Sequence, residues 1–286
     1  MGFGDFLYNN FNSERRRERE EVRREAREIR QEAKEILQDA KDIYSDYKEL
    51  RTDTRQYANE LDSVIKSHNN YKSDILRELG GEVAATIENF KRFNINSRIT
   101  FSAPNISGSS APNIPSMNLS AALSSMPGGS FNPINLIFSS LSDPYEDRDK
   151  AEKQRDDARE YYDKVHWAYL DLQGTMENLS NTRRFINDER EMLEQLMSKV
   201  RKIMSQLKGA MNRSTHTQAE AKHMNAICHI AEKIKTSLEQ QVVDNYGSIQ
   251  SSYKTYSRQL KKINDSIPSQ PTITDSSSWL DVLISL

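Results

Sequence analysis

Residues 22–75 read VRREAREIRQEAKEILQDAKDIYSDYKELRTDTRQYANELDSVIKSHNNYKSDI, and their spacing decides the fold class. Apolar or small residues recur at alternating intervals of four and three: Val22, Ala26, Ile29, Ala33, Ile36, Ala40, Ile43, Tyr47, Leu50, Thr54, Tyr57, Leu61, Val64, His68, Tyr71, Ile75. A seven-residue period held this long keeps one stripe of a helix facing one partner, so the stretch predicts a coiled-coil seam. Leu37, Tyr44, Ala58, Ile65 and Leu76 widen the stripe for a second neighbour. Only Thr54 and His68 on the seam are not apolar. A buried histidine there is a hydrogen-bonded packing residue and a weak point on acidification. Ala26, Ala33 and Ala40 at one seam position let a partner backbone approach closely.

The seam resumes after a long interruption. Ala158, Tyr162, Val165, Tyr169, Leu172, Met176 and Leu179 carry it, it slips at Thr182, and Ile186, Glu189, Leu193, Leu196, Val200, Ile203, Leu207 and Ala210 continue it. The slip is a stammer, which overwinds a coil locally. Asp143-Pro144 opens this second helix with an N-cap and a proline at the first helical position. Gly209 and the polar run to Thr217 break it. Thr217 with Glu220 reads as a capping box for a third helix, carried by Ile227, Ile230, Ile234, Leu238, Val242, Tyr246, Ile249, Tyr253, Tyr256, Leu260 and Ile263 and ended by Pro268.

The expected fold is therefore all-α: an elongated antiparallel coiled-coil hairpin plus a third long helix, a three-helix rod. Helices of about 120, 100 and 75 Å follow from the rise per residue. The segments are 1–12, an amphipathic start; 13–95, the first helix; 96–143, an uncharged tip; 144–212, the second helix; 213–267, the third; and 268–286, a linker and apolar tail. Gly80-Gly81 is an expected kink or hinge.

The interruption is unusual in composition. From Ile99 to Ser142 there is no Asp, Glu, Lys or Arg, in a chain that is 29% charged. Five of the eight prolines fall in it, and the pentapeptide SAPNI occurs twice, at 102–106 and 110–114. One reading is a flexible Ser/Pro-rich linker. The other is a contact tip, because Phe101, Leu119, Leu123, Phe131, Ile134, Ile137, Phe138 and Leu141 are large and apolar, unlike ordinary linker residues. The termini offer two more apolar elements: Phe3, Phe6, Leu7 and Phe11 on one face, and Trp279, Leu280, Leu283 and Leu286 in the tail. Each either caps the bundle or contacts another subunit or a membrane interface.

Composition excludes several classes. Forty basic and forty-two acidic residues give a net charge of −2, and Glu residues interleave with Arg15, Arg16 and Arg17, so no nucleic-acid partner is expected. Asp143, Glu146, Asp147 and Asp149 lack the glycine and terminal glutamate of a calcium loop. His223, Cys228 and His229 do not share a helix face at ligand spacing. No nucleotide-binding, zinc-hydrolase or thiol-redox motif is present, so no catalytic residue, metal, cofactor or small-molecule substrate is expected. A lone Cys228 suits a reducing compartment, and neither a signal segment nor a membrane-length apolar run occurs, so a cytoplasmic protein is expected, with a peripheral place at a membrane or release without a signal peptide as the alternatives.

These readings point to a non-enzymatic structural or assembly protein, a self-associating subunit or scaffold of a larger complex. The rival is a membrane-acting protein that inserts 99–142. Long helices flanking an uncharged apolar segment give it a layout similar to that of α-helical pore-forming toxins, and the amphipathic start is similar to that of membrane-shaping coiled-coil proteins. Both are likenesses of architecture without a shared motif.

Overall fold

The computed structural model describes residues 3–92, 138–210, 217–244, 247–273 and 279–280. The side chains of 3–12, 83–84, 87–92 and 210 fall outside that description. Among the described residues the chain forms four helices and no strand: α1 (Phe3–Arg92), α2 (Pro144–Ala210), α3 (Gln218–Leu238) and α4 (Ser251–Ser266). The all-α expectation holds. Gly80-Gly81 does not end α1, which runs on to Arg92. Both helix starts read from the sequence form: the Tyr145 N–H donates to the Asp143 carboxylate at 2.9 Å, and Thr217 and Glu220 close a reciprocal capping box.

The chain divides into two compact units. The first comprises residues 1–56 and 125–176, the second 57–124 and 177–286.

In the first unit α1 and α2 share a narrow seam. Leu37 and Ala40 pack with Ala158, Tyr161 and Val165, flanked by Ile36, Ile43, Tyr44, Phe138 and Tyr162. Ala26, Ala33 and Ala40 on α1 and Ala151 and Ala158 on α2 are fully buried, as close backbone approach requires. Partners advance in the same direction along both helices. Arg30 bonds Asp147, Glu32 pairs with Arg159 at 2.5 Å, and Leu37 and Ala40 meet residues 158–165.

In the second unit four helices surround one core. Ile75 and Leu79 come from α1, Leu193 to Leu207 from α2, Met224 to Ile234 from α3, and Leu260 and Ile263 from α4, with Ile267, Trp279 and Leu280 closing one end. Here too α1 and α2 run the same way, through Glu60 with Arg183, Glu78 with Arg201, and Glu82 with Lys208. α4 follows α2: Tyr253 bonds Glu189, and Lys199 donates to the Asn264 carbonyl at 2.6 Å. α3 runs against α4, with Lys233 donating to Gln259 at 3.1 Å.

Two expectations need correction. The antiparallel hairpin is wrong in direction, because α1 and α2 are parallel within each unit. A heptad stripe fixes which residues face a neighbour, not which way the neighbour points.

The single third helix over 213–267 is also wrong. It divides into α3 and α4 around a tight reversal. The Asp244 N–H donates to the Ser248 carbonyl and the Ser248 N–H to the Asp244 carboxylate, each at 2.9 Å, and Val243 bridges Ile249. Gly247 takes a φ of 75°, which a side chain resists. Apolar periodicity runs through this break because Val242 and Val243 are themselves buried.

Candidate functional site

Polar residues are costly on a packed seam unless they find one another. Glu189 is one such residue on α2, and His68 and Lys72 lie one turn apart on α1. The parallel pairing of the two helices brings all three together, and the start of α4 delivers Tyr253 to the same point.

The Lys72 ammonium donates to Glu189 Oε1 at 3.0 Å and to the Tyr253 hydroxyl at 2.6 Å. That hydroxyl donates in turn to Glu189 Oε2 at 2.6 Å. His68 Nε2 lies 3.2 Å from the same oxygen. A carboxylate only accepts, so the imidazole proton sits on Nε2, and Nδ1 has no partner among the described residues. Lys72 also lies 4.6 Å from the centre of the Tyr253 ring, and Phe185 covers that ring at a tilt. All four side chains are at most 3% exposed.

The electrostatics follow from burial and proximity. Burial alone would raise the Glu189 carboxyl, but Lys72, His68 and Tyr253 outweigh it and hold the group down to about 2. Burial lowers His68 and Lys72 despite the carboxylate beside them. Burial and the neighbouring carboxylate push Tyr253 well up. At neutral pH the cluster is one carboxylate and one ammonium bridged by a neutral phenol and a neutral imidazole. Sealed from solvent, such a cluster offers no path to a substrate. It can fix the register of three helices and respond to protons.

Just beyond it, the register slip of α2 finds a structural meaning. Buried Thr182 donates its hydroxyl to the Gly247 carbonyl at 2.7 Å, pinning the α3–α4 reversal onto α2.

The apolar residues singled out from the sequence have different fates. Phe101, Leu119, Leu123, Phe131, Ile134 and Ile137 lie outside the described residues, as do Leu283, Leu286 and the side chains of Phe3, Phe6, Leu7 and Phe11. Phe138 is half-buried against the first unit's seam beneath Lys34, and Leu141 is exposed. Trp279 and Leu280 are buried in the second unit's core, where Trp279 meets the His223 ring edge-on at 5.2 Å. In this conformation they cap their own bundle. Cys228 is buried, which pushes its thiol up to about 11. Among the described residues no three His, Cys, Asp or Glu converge as a metal site would need, and no helix is long and apolar enough to cross a membrane.

Lys72 and Tyr253 escape notice in the sequence as members of a site. Lys72 stands one residue from the seam and Tyr253 looks like an ordinary apolar member of it, so neither carries a signal without the tertiary pairing.

No known protein family, curated protein or solved structure matches this chain.

Proposed function

We propose that this chain is a non-enzymatic coiled-coil assembly protein, a self-associating scaffold subunit of a larger complex working in a reducing, cytoplasmic setting. The observation that carries the reading is Trp167. Its indole is 69% exposed on α2, with Leu170 one turn further on at 40%. Among the described residues the first unit has two helices with which to cover its apolar residues, and this pair lies off their common seam. Large exposed aromatics of this kind are typical anchors of protein contacts.

Sedimentation velocity of the intact chain tests it. The expected result is a defined oligomer that dissociates on the double substitution Trp167→Glu, Leu170→Glu, while the thermal melt of the monomer is unchanged. A chain that sediments as a monomer at every concentration removes self-assembly from consideration.

A second reading rests on the uncharged stretch 99–142, whose composition suits transfer out of water. In that reading the chain acts on membranes through this segment. Flotation with liposomes, comparing the intact chain with one carrying a Gly/Ser loop in place of 99–142, decides it. Binding that disappears with the segment supports membrane action, and failure of the intact chain to float rejects it.

A further inference from the structure

The first unit holds a pocket of about 510 Å³ between α1 and the residues that lead into α2. Arg23, Arg27, Arg30 and Lys34 form one wall, at steps of four, three and four that align them along one face of α1. Phe138, Ser140, Leu141, Ser142 and Asp147 form the other.

The charges in this pocket are not balanced. Asp147 is the only carboxylate in the lining, and it is already engaged. Arg30 donates to its side chain and to its backbone carbonyl, and the Leu141 N–H donates to the same carboxylate oxygen. Those bonds hold the Asp147 carboxyl below its ordinary value against the effect of burial. Arg23 and Arg27 make no ion pair or hydrogen bond among the described residues, although most neighbouring arginines do. Arg30 is about nine-tenths buried, and its Nε has no partner.

Nor can the adjoining chain supply the missing charge. Residues 99–142 contain no acidic side chain. An arginine-rich wall opposite two serine hydroxyls suits the several acceptor oxygens of a phosphate better than a single carboxylate, and the volume admits a phosphate with its ester substituent.

We propose that this pocket binds a phosphate monoester or diphosphate group, with Arg23 and Arg27 as its cationic clamp, Arg30 adding positive charge to the lining, and Ser140 and Ser142 as neutral donors. The same chemistry arises in a soluble phosphorylated metabolite and in the headgroup of an anionic lipid.

Titration calorimetry of the intact chain with pyrophosphate, and co-sedimentation with phosphatidylcholine vesicles with and without phosphatidic acid, test the site and separate its two sources. Saturable uptake of pyrophosphate assigns a soluble ligand; binding confined to the phosphatidic acid vesicles assigns a headgroup. The substitutions Arg23→Gln and Arg27→Gln, both at exposed positions, weaken whichever binding is seen by about tenfold each. Arg24→Gln, on the same helix but paired with Glu21 and Glu28, leaves it unchanged. Affinity also falls below pH ~6, where the phosphate takes up its second proton. Absence of binding in both assays overturns the proposal, as does equal loss on Arg24→Gln.

Discussion

Lys72 on α1 and Glu189 on α2 form an ion pair of 3.0 Å with no exposure of the lysine at all. A buried pair of this kind adds little net stability compared with apolar residues, yet breaking it is expensive because the survivor keeps its charge without a partner. Lys72→Met leaves the Glu189 carboxylate with only the phenol and the imidazole. Its expected cost is about 3–5 kcal/mol in urea unfolding. The double substitution Lys72→Met, Glu189→Leu is expected to recover most of that loss. Additive losses in the double-mutant cycle would show that the pair is not coupled.

The same cluster sets a pH dependence. Glu189 is depressed from 4.5 in the unfolded chain to about 2 in the fold, so the unfolded chain binds more protons in that window. Its contribution, on the order of 3 kcal/mol, is present above pH ~4.5 and is lost as the pH falls towards 2. His68 acts in the same sense and begins earlier. Its folded value lies below 6.5, so unfolded chains protonate first and stability declines as the pH drops below 6.5. Thermal melts between pH 7 and 5 should therefore show a fall in Tm that is reduced in His68→Gln. An unchanged slope in that variant would place the responsible titration elsewhere.

Much of this was legible in the sequence. Thr217 and Glu220, Asp143 and Pro144, and the alanine stripe each state a local rule, and local rules survive folding. His68 and Glu189 were visible as polar residues on two seams. That they meet was not, because their pairing depends on the relative direction of α1 and α2. The α3–α4 break was hidden for a different reason: Val242 and Val243 bury themselves at positions a continuous helix would also have buried.

Two glycines report on backbone geometry in opposite senses. A β-carbon at Gly174, on α2 in the first unit, meets nothing within 4 Å. Gly174→Ala is expected to stabilise by about 0.5–1 kcal/mol, since alanine restricts the unfolded chain and suits the helix. Gly247, with its φ of 75°, anchors the reversal that α4 depends on. Gly247→Ala is expected to destabilise by about 1–2 kcal/mol. Chemical unfolding of the two variants side by side checks the signs; a neutral Gly247→Ala would mean that the reversal relaxes without penalty.

The direction of the helix pair is the correction with the widest consequence, and chemical cross-linking tests it directly. In the second unit Arg201 meets Glu78 through two hydrogen bonds of 2.7 and 2.8 Å, and Arg183 meets Glu60 at 3.2 Å. Eighteen residues separate the members of each pair along both helices, which only a parallel arrangement allows. The double variants Glu78→Cys, Arg201→Cys and Glu60→Cys, Arg183→Cys should each cross-link within one chain with a short bis-maleimide. The crossed variant Glu60→Cys, Arg201→Cys should not, because the helical rise puts its thiols about 27 Å apart. Native Cys228 is buried, so it contributes little background. An antiparallel pair would give the reverse: at most one of the two matched variants could react, because bringing 78 beside 201 carries 60 away from 183. Reaction of both matched variants fixes the direction of α1 against α2 in the second unit.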